Sequence, residues 1–577
     1  LDSDTSSSVY LSVDVALTAT RSALVAAVES ALAASTWTGS ADEPTHKQAM
    51  ERADVEKWVD AMMAELAAFE ATGTWEGELV DLPQGRRAIA VKWVLLIKRD
   101  AEGRVIKYKA RLVARGDQQV EGVDYDQTHS STVRLTTVRL VSSLLAANPT
   151  WEYRQFDISN AYLLGVLDHE IYIRQPPGFI DSERPTAVRR LRKALYGLKQ
   201  GGREWQKVLR EALEKLGFTR TNADHGLYVR RKGGKVVMIP THVDDGLVVG
   251  DDDLDAVLEE ISTLLEGKLK KVDTGLFLGM QIIRGSNGSV SLLQSHYTRS
   301  VLDQYFPSGL SIAKTPLHST YSTIVAATEE EREDCPYREL LGALVYLSAC
   351  TRPDIAFALS FASRFSSCPA KRHWQLLVHI CRYLSGTADL GLKYTDPGRP
   401  FTADLVTGWS DADHGADKDT RRSVSGHVFG VGTDSLLSTA ISWLSRRQAS
   451  VSISSTEAEY IALSEAAREM LWLRQLLREL GFDTTTPLLI RGDNSGSLLL
   501  ANHPTSHSRT KHIAVHYHFT RELVEEGKIV LKWVPTDEMV ADVFTKGLAG
   551  VKHALFTGRC GLRVIRREGR CEDEDRS

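Results

Sequence analysis

The sequence predicts an α+β protein of several folded units, and three observations carry that expectation. At about 150 residues per domain, a chain of 577 residues suggests three or four units rather than one. A composition of 42% apolar and 25% charged residues is ordinary for globular proteins and excludes wholesale disorder. Along the chain, strand-like runs and segments with apolar residues every three or four positions follow one another.

Residues 1–45 are rich in Ala, Ser and Thr and read as a disordered linker with at most one loose helix near Ala16–Ala34. Val55, Trp58, Met62, Leu66 and Phe69 then make one apolar helix face, which Gly73 ends. Two apolar runs, Ala88–Ile97 and a second ending at Val113, flank a charged turn at Asp100–Gly103 and predict a hairpin with Lys and Arg on its polar side. Strand-like and helical segments alternate from Trp151 to about Arg284, which closes a first region at 46–290. A Leu- and Arg-rich stretch, Tyr337–Leu384, makes 291–400 helical. After Pro397–Pro400 a new α/β unit opens, spanning 401–550, and 551–577 reads as a charged tail.

No apolar run approaches the roughly 18 residues a membrane-spanning helix needs. Asp2 and Asp4, with no basic residue near them, argue against a secretory signal, and the absence of an initiator Met suggests a piece of something longer. Six scattered Cys without CxxC spacing argue against a zinc knuckle or disulfide scaffold and fit a reducing compartment. The net charge of −5 taken alone argues against a nucleic-acid partner. Local runs point the other way. Lys92, Lys98, Arg99, Arg104, Lys107, Lys109, Arg111 and Arg115 form one; Arg189, Arg190, Arg192, Lys193, Lys199, Arg203 and Lys207, opposed only by Glu204, form another. Such patches govern phosphate affinity more than the total does.

Val236–Gly250 places Asp244 and Asp245 between two apolar runs, a hairpin with adjacent carboxylates at its tip. Two charges about 4 Å apart repel by roughly 4 kcal/mol at an effective dielectric of 20. A divalent cation between them would relieve this; a solvated Asp-Asp-Gly turn is the alternative. Trp151–Tyr162 reads as a strand ending in Asp157, and a third carboxylate on a neighbouring strand would complete a two-metal cage for phosphoryl transfer.

Phe156-Asp-Ile-Ser-Asn-Ala-Tyr-Leu-Leu-Gly165, Leu195-Tyr-Gly-Leu-Lys-Gln-Gly-Gly-Arg-Glu-Trp205, Val243-Asp-Asp245 and, ahead of them, Lys107-Tyr-Lys-Ala-Arg-Leu-Val-Ala-Arg-Gly116 resemble, in order and spacing, the reverse transcriptase of copia-type LTR retrotransposons. The resemblance implies a right-hand polymerase of fingers, palm and thumb, with 291–400 as thumb/connection. It implies Asp157, Asp244 and Asp245 as metal-binding catalytic carboxylates, Tyr162 beneath the nucleotide sugar, Gln200 supporting the incoming nucleotide, and Lys109, Arg111 and Lys98 facing the triphosphate. A packing role is the bland alternative for Tyr162. His242 departs from the family, which usually has Tyr there.

A second acidic set follows. Gly408-Trp-Ser-Asp-Ala-Asp-His-Gly415 opens a strand, Ser454–Ala467 starts a helix, Leu488–Asn494 is a strand ending in Asp493, and Lys528–Val534 is another, before Ala541-Asp-Val-Phe-Thr-Lys546. Ser454 and Glu457 have capping-box spacing, so Glu457 is also readable as a cap. These segments resemble the copia-type ribonuclease H domain, an α/β fold following the polymerase. That resemblance implies Asp411, Glu457, Asp493 and Asp542 as catalytic metal ligands, with Asp413 and Glu459 as neighbouring acids outside the set. His414 stands where the family usually has Trp.

The resemblance, over about residues 44–550, further implies two Mg²⁺ per active site, with Mn²⁺ as a substitute. It implies RNA template, DNA primer, RNA–DNA hybrid and dNTPs as partners, beside other Pol and Gag segments and no membrane. It also implies a cytoplasmic, virus-like-particle location with nuclear passage alongside cDNA. A degenerate copy that folds and binds nucleic acid without polymerising is the alternative, motivated by His242 and His414. Asp273-Thr-Gly275 spells an aspartic-protease triplet without the surrounding strand pattern, and His512 and His516 have metal-like spacing without a Cys or carboxylate partner.

Overall fold

The computed structural model describes residues 42–99, 104–273, 275–433, 436–502 and 514–565. The linker reading up to residue 41, His512, the side chain of His516 and the last twelve residues lie outside them. Two compact units emerge among the described residues: one takes in Asp42–Val133 and Glu152–Asp273, the other Arg134–Trp151 and the described chain from Gly275 onward. The boundary therefore differs from the expected 46–290 block, because the helix Leu135–Ala147, buried on nearly every side, packs with the second unit.

In the first unit, the helix Val55–Thr72 packs on an antiparallel hairpin of Val91–Arg99 and Val105–Ala114. Alternation puts Trp93, Leu95, Ile97, Ala110, Leu112 and Ala114 into a core with Trp58, Met62 and Phe69. The cross-strand pairs Lys98 with Lys107, Leu96 with Lys109 and Val94 with Arg111 occupy the opposite face. Next comes a six-stranded sheet in the order Leu269–Val272, Glu152–Ile158, Asp245–Gly250, Lys235–His242, Leu227–Lys232, Thr219–Arg220. Phe156 and Ile158 pack with residues of the helices Gly201–Lys215 and Leu254–Leu264, among them Trp205, Leu209 and Leu258. Asp157, between them, points to the other face.

In the second unit, the region expected to be helical does hold the helices Ser295–Tyr305, Tyr337–Cys350, Ala356–Ala362 and Lys371–Ser385 around one core. It also contributes to a five-stranded sheet of Leu276–Phe277, Met280–Arg284, Val290–Leu293, Leu390–Tyr394 and Leu562–Val564. The last of these strands, and the helix Gly550–Arg559 before it, correct the reading of a tail from 551: Phe556 and Cys560 are fully buried. A second five-stranded sheet runs Leu436–Arg447, Val424–Thr433, Val406–Ala412, Leu488–Gly492, Ile529–Trp533, antiparallel across the first three and parallel across the last three. The helix Ser455–Glu479 packs over it.

Candidate active sites

Strand register builds the first acidic site. Asp245 opens its strand directly opposite Asp157, and the amide of Ile158 donates to the Asp244 carbonyl at 2.9 Å. Asp244 occupies the two-residue turn with Val243, whose φ of +55° is unusual for a β-branched residue. The indole N–H of buried Trp205 donates to the Val243 carbonyl at 2.6 Å, which helps hold this strained turn. The carboxylates are crowded. Burial, then Asp244, push the Asp157 carboxyl up, while Lys109, Lys270 and Lys98 oppose the shift. Burial, then Asp244 and Asp157, push Asp245 up to about 7.

The hairpin's polar face supplies the cations. Burial lowers the Lys109 ammonium to about 8, helped by Arg111 and Lys98 and opposed by Asp244 and Glu65. Arg111 lies over the Tyr196 ring at 4.8 Å, and Tyr196 meets Tyr162 at 5.2 Å between centroids. Gly201 leaves room for Tyr162: a Cβ there would stand 3.0 Å from the Tyr162 ring. Gln200 does not point into open space. It is 1% exposed, its Oε1 accepts from Gln119 Nε2 at 2.9 Å, and its Nε2 donates to the Asp124 carbonyl at 2.7 Å. His242 pairs across the hairpin with Asp245, and burial lowers its pKa, so it is neutral at pH 7.

The basic run from Arg189 is less free than its sequence suggests. Arg190 binds Glu76 and Glu170, Arg192 lies 3.8 Å from Glu76, and Arg203 and Lys207 both bind buried Glu204. Glu204 lies within the run itself, whereas Glu76 and Glu170 come from other segments, so local sequence hides their share of the neutralisation.

The second site sits at the end of two parallel strands. Trp409 pairs with Arg491, so Asp411 and Asp493, two residues further on, stand at the same level. Asp411, Glu459 and Asp493 bring one carboxylate oxygen each to within 4.8 Å of one another, the one such group among the described residues. Burial chiefly, with Asp542 and Asp493, pushes Asp411 up to about 7 against the pull of Lys546. Burial, then Asp411 and Asp493, raise Glu459 well above the ordinary carboxylate range. Asp493 is fixed by the Thr536 hydroxyl at 2.8 Å and, through its carbonyl, by the Trp533 indole N–H at 2.9 Å. Asp542, 1% exposed, binds Lys546 at 2.8 Å and Lys552 at 2.9 Å, while the Thr545 hydroxyl donates to Asp411.

The helical acid that stands beside Asp411 and Asp493 is Glu459 and not the expected Glu457. Glu457 turns back to accept from the Ile453 amide at 2.8 Å, while its own amide donates to Ser454 Oγ at 3.1 Å. The capping-box spacing already accounted for Glu457. The signal that could have found Glu459 is the Ala458/Ala462 pair, whose small side chains pack on Ala412 and bring the helix against the end of the Asp411 strand. Asp413 stays outside the group, accepting from the Val424 amide at 3.0 Å.

Both donor sets suit a hard divalent cation: oxygen only, half-buried at the first site and more deeply buried at the second, and crowded enough that Asp245, Asp411 and Glu459 are held above the ordinary carboxylate range.

Residues 73–318 match the reverse transcriptase (RNA-dependent DNA polymerase) family. The chain is 36% identical over 531 residues to the retrovirus-related Pol polyprotein from transposon RE1 of Arabidopsis thaliana, covering 91% of this chain and 35% of that protein. It is 33% identical over 319 residues to the putative transposon Ty5-1 protein YCL074W of Saccharomyces cerevisiae, covering 54% of this chain and all of that protein. The foamy viral protease–reverse transcriptase in complex with double-stranded DNA aligns over 83% of this chain and 69% of that chain, with 10% identity and a TM-score of 0.41. The chain spans about a third of the length of the longer curated relatives it matches.

Proposed function

The chain belongs to the copia-type retrotransposon Pol polyproteins, and we propose that it is an RNA-directed DNA polymerase with a ribonuclease H on the same chain. The observation that carries the polymerase is Asp157 facing Asp245 across one strand pair, with Asp244 in the turn beside them. Asp157, Asp244 and Asp245 would hold divalent cations at the first site; Asp411, Glu459, Asp493 and Asp542 would hold them at the second. Two Mg²⁺ per site would supply positive charge against the oxygens that gain charge during phosphoryl transfer.

The chain's own groups do the rest. Lys109, Lys98 and Arg111 present positive charge where a triphosphate would bring negative charge, and Tyr162 supports the sugar. The primer 3′-hydroxyl attacks the α-phosphorus in line and pyrophosphate departs. At the second site, water attacks a phosphodiester phosphorus of the RNA strand, the ester bond to the 3′-oxygen breaks, and that oxygen leaves as a hydroxyl with a proton from the attacking water, while Thr545, Thr536 and Trp533 hold Asp411 and Asp493 in position. The partners are an RNA template, a DNA primer, their hybrid and dNTPs, with other Pol and Gag segments of the element in a cytoplasmic particle. The degenerate-copy alternative has less support, because every carboxylate the chemistry needs is in place.

Primer extension on an RNA template with dNTPs and Mg²⁺ tests this reading. Template-dependent extension is expected. Hybrid binding without extension would overturn the polymerase assignment.

A further inference from the structure

Gln200 sits between the basic hairpin and the carboxylate turn, and both ends of its amide are engaged by the protein. Gln119, 6% exposed, uses its own amide twice: Nε2 donates to Gln200 Oε1 at 2.9 Å, and Oε1 accepts from the Lys199 amide at 2.7 Å. Gln200 Nε2 donates to the Asp124 carbonyl, and the Asp124 carboxylate accepts from the Val120 amide at 2.8 Å. Next door, Gln118 Oε1 accepts from the Ala90 amide at 3.0 Å, just before the strand that carries Lys92 and Lys98. The backbones beneath are in close contact: a Cβ on Gly116 would stand 2.1 Å from the Gly197 carbonyl oxygen, and one on Gly197 2.2 Å from that of Ala114.

On the other side, Gln200 precedes the helix Gly201–Lys215, whose Trp205 holds the Val243 carbonyl in the turn before Asp244. A continuous set of fixed contacts thus runs from the hairpin through Gln118, Gln119 and Gln200 to the catalytic turn, all within one unit. Buried amides bonded at both ends are rigid, since breaking either bond leaves an unsatisfied polar group.

We infer that Gln119 is a positioning residue for nucleotide addition, acting through Gln200, and that Gln200 serves as a strut between the basic hairpin and the carboxylate turn. This rests on the polymerase reading and sharpens it, because a strut and a direct nucleotide contact respond differently to mutation. A direct contact needs Gln200 alone. A strut needs the pair.

The test compares Gln119→Leu, Gln200→Leu and the double variant in the full-length chain. Steady-state primer extension gives the KM for dNTP and kcat separately, and backbone hydrogen exchange is followed over residues 116–125 and 195–200. Each single variant is expected to raise the dNTP KM about tenfold, the double variant no more than either single, and all three to speed exchange in both segments. Hybrid cleavage by the same preparations reports intact folding of the other unit. Additive effects near a hundredfold, or a Gln119→Leu variant with wild-type KM while Gln200→Leu is impaired, would overturn the inference. Should the wild-type chain not extend primers at all, the polymerase reading fails, and the exchange data still decide whether the two glutamines form one strut.

Discussion

Glu457 and Glu459 lie two residues apart on one helix and face different partners: Glu459 joins Asp411 and Asp493 in the buried acidic group, while Glu457 caps the helix start on the Ile453 amide. Two residues correspond to about 200° of helical rotation, so only one of them can face the strand ends. Glu459→Gln is expected to lower hybrid cleavage by about a hundredfold or more, because it removes one of the carboxylates crowded there. Glu457→Ala is expected to keep cleavage within a few-fold and to lower stability by about 1 kcal/mol through the lost cap. Cleavage of a labelled hybrid and urea unfolding of each variant check both statements.

Cation uptake at the second site is expected to displace protons. Asp411 sits at about 7 in the folded, cation-free protein against an ordinary 3.8, with burial as the main cause. Its contribution to stability is therefore fully present below about 3.8 and is lost as pH rises through about 7. Buried His427, lowered to about 3, runs the opposite way, so overall stability is a poor readout. Mn²⁺ titration calorimetry in buffers of different ionisation enthalpy reads the protons directly. Affinity should strengthen from pH 6 to pH 8, with proton release greatest below about pH 7. A pH-independent affinity would contradict the protonated, buried state of Asp411.

Gly246 follows the palm carboxylates because nothing larger fits there. A Cβ at that position would stand 2.2 Å from the Phe156 ring, which is itself 1% exposed and packed beside Asp157. Gly246→Ala is expected to cost about 1–3 kcal/mol by overpacking and to slow primer extension, while hybrid cleavage persists. Adding Phe156→Leu should recover part of the loss. Thermal melting and the two activity assays check it.

Arg352 and Asp354 form a buried pair at 2.7 Å, with side chains 1% and 0% exposed, and the Tyr383 hydroxyl donates to Asp354 at 2.8 Å. Asp354→Asn leaves a buried guanidinium without its counter-charge. The expected cost is about 3–5 kcal/mol, read as a lower urea midpoint for the second unit.

The parts legible in the sequence are those fixed by local periodicity. Trp58, Met62 and Phe69 announce the helix face that covers the hairpin, and Asp411 and Asp493 are visible as acids closing apolar strands. What escaped depended on contacts between distant segments. Glu76 and Glu170 neutralise Arg190 across 114 and 20 residues. Gln119 meets Gln200 across 81 residues. Leu562–Val564 is too short to read as a strand until Leu390–Tyr394 is seen beside it. Glu457 and Glu459 could not be told apart by composition, because the choice depends on where the helix meets Ala412.

On the proposed reading, two separate acidic sites on one chain carry two separate reactions. A single incubation with labelled RNA template, DNA primer, dNTPs and Mg²⁺, run with the wild type, Asp157→Asn and Glu459→Gln, separates the two. Asp157→Asn should cut the RNA of the hybrid without extending the primer, and Glu459→Gln should extend the primer without cutting the RNA. Loss of both products in either folded variant would show that the two acidic sites do not act separately.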